Sequence, residues 1–326
     1  MTRTRFANIG ATAFQHPTDI HAINALKTVK GLDLVCHKMI EFGYERAMYI
    51  SLIGNAIRVT PRHFSRLDKI LQESSITLGM DSPQLFIESS DELNAYTSGS
   101  ENPFIVLTSK VVEAFSDDEI RVVIGHELGH IKCSHVVYTS AAGFVQDFAD
   151  HLSGATLGVS GLLSMGLELA LFRWSRKAEL SADRAALLVS QDLATCQQVF
   201  MKLLGFPPGI AKDMIVDEFV SQAALYADLD SDVLSKIYKI LAGRKSTHPD
   251  MVVRTKEIAE WATGEAYARL LTGDYSIAGM ATAQISAGSE QAATTSQSPI
   301  DGTTLHEAKD AALSAVKGGL KGLFKR

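Results

Sequence analysis

Apolar positions along the chain follow two periods, and the changes of period mark its elements. Residues 18–56 carry them at helical spacing, interrupted near Gly31. Short β-favouring runs at 56–60 (AIRVT), 84–87 (QLFI) and 104–108 (FIVLT) predict strands, and a helical stretch is expected to start at Pro61. Asn94, Ala95, Tyr96 and Thr97 lie between the last two runs, just before a turn signal at Gly99. Ser116-Asp117-Asp118-Glu119 has the form of a capping box, in which hydroxyl and carboxylate satisfy the free amides of a helix start. The helix it opens runs through Ile120, Val123, Ile124, Leu128 and Ile131, an apolar face. A second strong helical pattern covers 178–204 and breaks at Gly205-Phe206-Pro207-Pro208-Gly209, and further helices follow to about residue 271.

After Tyr275 the pattern dissolves. Residues 281–304 are mostly Ala, Ser, Thr, Gln and Gly, the composition of a flexible linker. Residues 305–326 recover an amphipathic pattern, with Leu313, Val316, Leu320 and Leu323 on one face and Lys309, Lys317, Lys321, Lys325 and Arg326 elsewhere. The expected organisation is a helical region 1–60 packing on a catalytic domain 61–275, then a linker 276–304 and a basic amphipathic helix 305–326. The fold class is α+β, mainly helical, with a small sheet beside the helix of the capping box.

Composition narrows the picture. With 46% hydrophobic and 21% charged residues the chain suits a globular enzyme, and its net charge of -6 gives no reason to expect a nucleic-acid partner. Cys36, Cys133 and Cys196 are odd in number, widely separated and without a CxxC pair. That fits a reducing compartment and argues against a cysteine zinc site. No apolar signal core follows the basic N-terminus, so a cytoplasmic location is expected. Residues 152–167 form an uncharged run whose helical length, about 24 Å at ~1.5 Å per residue, falls short of the ~30 Å bilayer core. Two readings stay open: a buried helix or hairpin, or a segment touching membrane through the small face of Gly154 and Gly158. Segments 152–172 and 305–326 are thus the two candidates for peripheral membrane contact, with a frayed or cleft-gating tail as alternatives for the second.

The chemistry centres on His126-Glu127-Leu128-Gly129-His130, where two imidazoles at i and i+4 share one helix face and can reach a single zinc ion. A catalytic zinc takes three protein ligands. An HExxHxxGxxH pattern fails, since Cys133 and Val136 stand where it needs glycine and histidine. His135, five residues past His130 and roughly 140° further around the helix, points away. Glu179 is the better candidate, because Glu179 and Asp183 project from one helix face: one can bind zinc while the other accepts an imidazole N–H. Glu127, beside His126, is placed to act as general base on water.

Four segments in order extend this reading: Asn94 to Thr97, Asp118 to His130, Glu179 to Asp183, and Thr247-His248-Pro249 with Arg254. Together they resemble the gluzincin metallopeptidases that include the HtpX protease and the CAAX prenyl proteases. The resemblance implies a zincin-like fold and one Zn2+ per chain on His126, His130 and Glu179. It also implies that Glu127 is catalytic and that Asp183 supports the site. By the same resemblance Asn94 to Thr97 are expected to form an edge strand beside the cleft, to which an extended substrate can pair, and His248 to lie near the metal-bound water as a candidate oxyanion donor. Arg254 is expected to position a carboxylate or substrate, with a salt bridge as the alternative. Protein or peptide substrates and a role in quality control are implied as well. The family's N-terminal membrane helices are not matched here, which implies a soluble or peripheral member. The competing expectation is a zinc-binding chaperone or scaffold without turnover, for which Glu127 would have no use; prenyl-protein processing is a narrower alternative.

Overall fold

The computed structural model describes residues 3–28, 32, 43, 45–142, 159–228 and 251–275. His248, the first part of the uncharged run at 152–158, the linker 276–304 and the basic segment 305–326 lie outside the described residues.

Helix α1 (Pro17–Lys27) and helix α2 (Glu45–Asn55) precede strand β1 (Ile57–Arg58) and helix α3 (Ser65–Thr77). The predicted start at Pro61 is displaced to Ser65, because Thr60 and His63 close a turn by exchanging backbone hydrogen bonds of 2.8 and 3.0 Å and Phe64 takes a left-handed φ of 60°. Strands β2 (Gln84–Glu88), β3 (Ala95–Ser98) and β4 (Phe104–Thr108) then complete a four-stranded sheet of order β1-β2-β4-β3. β2 and β4 run parallel, and β1 and β3 pair antiparallel at the two edges. The turn before β4 demands Gly99, whose φ is +93° and where a Cβ would meet the Asn102 carbonyl oxygen at 2.5 Å.

Period-two alternation decides what covers the sheet. Leu85, Ile87, Ile105 and Leu107 face the main core, whereas Phe86, Phe104 and Val106 face Leu52 of α2. The first set packs with helix α4 (Ser109–Ala114) and helix α5 (Asp117–Lys132), which carries His126 to His130. The predicted capping box is present: the Ser116 backbone amide donates to Glu119 Oε2 at 2.8 Å and the Glu119 amide to Ser116 Oγ at 3.4 Å. Lys202 also reaches Glu119 at 2.7 Å. Burial raises the Glu119 pKa, but Lys202 and the Ser116 amide outweigh it and hold the carboxyl below its ordinary 4.5. Because the folded value is the lower one, this contribution is in place above about pH 4.5 and is lost as pH falls through the folded value. Ser116→Ala is expected to cost about 1 kcal/mol, read as a lower denaturation midpoint at neutral pH.

Helix α6 (Val159–Ser190) is buried on nearly every side from Leu171 onward, with Trp174, Ala178, Ala182, Ala185 and Leu188 at 1% exposure or less. A central helix of this kind buries its few charged side chains only where they are paired, as at Glu179 and Asp183. The pattern at 178–204 thus divides in two, with α6 reaching back to Val159 and helix α7 (Leu193–Lys202) following a break. Gln191 adopts a φ of 54°, its side chain bonds both the amide and the carbonyl of Thr4, and Asp192 caps α7 by accepting from the Thr195 amide. Helices α8 (Val216–Asp228), α9 (Met251–Ala262) and α10 (Glu265–Leu271) follow, α9 packing on both α6 and α7. The N-terminal segment joins the same core through Phe6, Ile9 and Phe14. No described helix is long and apolar enough to cross a membrane, and Cys133 and Cys196 are buried as free thiols.

Candidate active site

Two helices must approach closely for the site to form, and small residues permit it. At Gly125 an added Cβ would lie 2.9 Å from Val189 Cβ and 3.1 Å from Ala186 Cα. At Gly129 it would lie 2.7 Å from Ala185 Cβ and 2.9 Å from Ala182 Cα. α5 and α6 therefore meet along a seam with no room for a side chain at Gly125 or Gly129, with His126 and His130 on one wall and Glu179 and Asp183 on the other.

His126, His130 and Glu179 converge so that one ligand atom from each lies within 4.8 Å of the others. The two Nε2 atoms stand 3.1 Å apart, and Glu179 reaches His126 Nε2 at 3.4 Å and His130 Nε2 at 3.2 Å. Ligands ~2.0–2.1 Å from a tetrahedral zinc are themselves separated by about 3.3 Å, so the donor set and spacing fit zinc. Both Nδ1 atoms are engaged elsewhere, His126 with Asp183 Oδ1 at 3.0 Å and His130 with His135 Nδ1 at 3.0 Å, which leaves each Nε2 as the inward donor. The His126 ring retains 12% exposure, so the cluster opens toward solvent on that side.

Arg254, on α9, anchors the acidic wall. Its guanidinium contacts Asp183 at 2.8 and 2.5 Å and Glu179 at 3.1 Å, and stacks over the Phe200 ring at 4.9 Å. Burial raises the Asp183 pKa, yet Arg254, followed by His126, more than reverses this and keeps it below the ordinary carboxylate range. Burial lowers the His126 pKa, but Glu179 and Asp183 prevail and push it up to about 10. Glu179 and Asp183 are thus paired with both Arg254 and His126 across the seam.

Glu127 is buried and takes a 2.6 Å hydrogen bond from the Thr97 hydroxyl at its Oε2. That contact ties α5 to β3, the edge strand, in which Ala95, Tyr96 and Thr97 pair with Leu107, Val106 and Ile105. Asn94 precedes the strand, and its carbonyl accepts from the Thr108 amide at 3.0 Å. The sequence-derived residues Glu127, His126, His130, Glu179, Asp183, Arg254 and Thr97 are thus brought together, whereas His248 lies outside the described residues.

One expectation is corrected. His135 does not point away: α5 ends at Lys132, Ser134 takes a φ of 58°, and the chain turns back so that the fully buried His135 ring meets His130. Its other nitrogen lies 2.9 Å from Asp19 of α1, a buried carboxylate unforeseen in the sequence. Extrapolating an unbroken helix produced the error, and no glycine or proline signals the break.

Residues 61–262 match the family described as Peptidase family M48. The chain is 34% identical over 269 residues to the Plastoglobule-localized metallopeptidase 48, chloroplastic, of Arabidopsis thaliana, covering 82% of this chain and 77% of that protein. It is 23% identical over 234 residues to a Protease HtpX homolog of Polynucleobacter necessarius, covering 65% and 79%. The crystal structure of S. mikatae Ste24p is similar with a TM-score of 0.37 and 18% identity, over 69% of this chain and 55% of that one. The class is a hydrolase of the metalloprotease kind. The chain belongs to peptidase family M48.

Proposed function

We propose that this protein is a zinc-dependent endopeptidase of zincin-like fold that cleaves unfolded or flexible protein segments, with one zinc held by His126, His130 and Glu179. The observation that carries the reading is the spacing of the two Nε2 atoms and the Glu179 carboxylate, 3.1 to 3.4 Å, with Glu127 next to His126 in the chain. When bound, zinc polarises a substrate carbonyl and lowers the pKa of coordinated water toward ~7.

The chain's own groups do the rest. Glu127 accepts the proton of the attacking water and returns it to the leaving amine, while the Thr97 hydroxyl at 2.6 Å fixes its orientation. Asp183 holds the Nδ1–H of His126, and Arg254 holds Asp183 and Glu179 in register. His248, on the sequence argument, donates to the developing oxyanion. As a sheet edge, residues 94–97 offer backbone pairing to an extended substrate, which gives affinity with little dependence on side chains. Unfolded segments suit such an edge, and clearance of misfolded protein in the cytoplasm is the role that fits.

Purified full-length protein is expected to degrade casein, to lose the activity in chelator, and to regain it when zinc is added. Zinc binding without any cleavage would favour the chaperone or scaffold alternative instead.

A further inference from the structure

The environment of His130 extends well beyond the acidic wall. Its Nδ1 meets His135 Nδ1 at 3.0 Å, and His135 Nε2 meets Asp19 Oδ2 at 2.9 Å. His135 and Asp19 are both fully buried. Asp19 is also the target of Ser181 Oγ at 2.6 Å, Gln15 Nε2 at 3.0 Å and Trp174 Nε1 at 3.2 Å. A carboxylate on which donors converge from the segment before α1, from α6 and from the segment after α5 acts as an acceptor. The consequence is a fixed proton order. Asp19 takes the N–H of His135 Nε2, so His135 Nδ1 presents a lone pair. That lone pair takes the N–H of His130 Nδ1, so His130 Nε2 presents its own lone pair to the cluster of His126 and Glu179.

Resting on the zinc reading above, we infer that Asp19 and His135 are positioning residues that select the Nε2-ligating tautomer of His130 and hold its ring toward the metal. Asp19 lies on α1, N-terminal to the residues 61–262 that match the family. The segment before the matched region therefore contributes a partner to the metal centre, and zinc affinity depends on its docking. His126 is served by Asp183 at 3.0 Å from α6, so the two ligand histidines are oriented by carboxylates from separate parts of the chain.

Two substitutions at one position test this. His135→Asn keeps a polar atom where Nδ1 stands, toward His130, and gives up the link to Asp19. His135→Gln keeps one where Nε2 stands, toward Asp19, and gives up the link to His130. Zinc affinity is measured on the full chain by competition with a chromogenic chelator, which needs no turnover. His135→Gln is expected to weaken zinc about 10–100-fold, the usual effect of losing an outer partner of a ligand. His135→Asn is expected to retain most of the affinity, and Asp19→Ala to match His135→Gln. Wild-type affinity in His135→Gln, or equal losses in the Asn and Gln variants, overturns the inference while leaving the zinc reading intact. A wild-type chain that binds no zinc overturns both.

Discussion

Glu127→Gln protein is expected to bind zinc as tightly as wild type and to hydrolyse casein about a hundredfold to ten-thousandfold more slowly, the range a positioned general base contributes. The substitution keeps the side-chain shape and an oxygen able to accept from the Thr97 hydroxyl, which now stands 2.6 Å from the carboxyl, so the fold has no reason to change. Residual turnover near wild type in metal-replete mutant protein would remove Glu127 from the chemistry and leave the metal cluster without a base.

Arg254→Met is expected to be the most damaging single change to stability. The guanidinium is 2% exposed and holds two carboxylates, Asp183 and Glu179, that are buried on the opposite wall. Methionine fills much of the same volume but removes the guanidinium that faces both acids. Breaking a buried pair in this way costs about 3–5 kcal/mol. Denaturant unfolding in chelator measures the loss, and zinc, a second positive charge beside the same acids, is expected to recover part of it. An unchanged midpoint would mean that the carboxylates find compensation elsewhere.

What the chain betrayed in advance was local. The capping box at Ser116 and the paired histidines of α5 are set within a few residues by helix geometry, and both are found as read. Strands β2 and β4 announce themselves as short apolar runs, and Glu179 with Asp183 as a pair on one helix face. The remainder was hidden because it depends on chain reversals without a sequence signature. Ser134 and Gln191 take left-handed backbone as non-glycine residues, and each ends a helix that periodicity alone would prolong. Asp19 meets His135 across 116 positions, a contact that no spacing rule reaches. The seam is an intermediate case: Gly129 is visible inside the histidine motif, but Ala182 and Ala185 acquire meaning only when the two helices are seen to touch.

The seam between α5 and α6 leaves room for hydrogens alone at Gly129, where even one methyl group would crowd Ala185 to 2.7 Å. Metal–ligand bonds tolerate a spread of only about 0.2 Å. Helix separation and metal affinity are thus a single adjustable quantity, and variants that tune how firmly the cation is kept are to be sought at glycine and alanine positions bearing no donor atom at all.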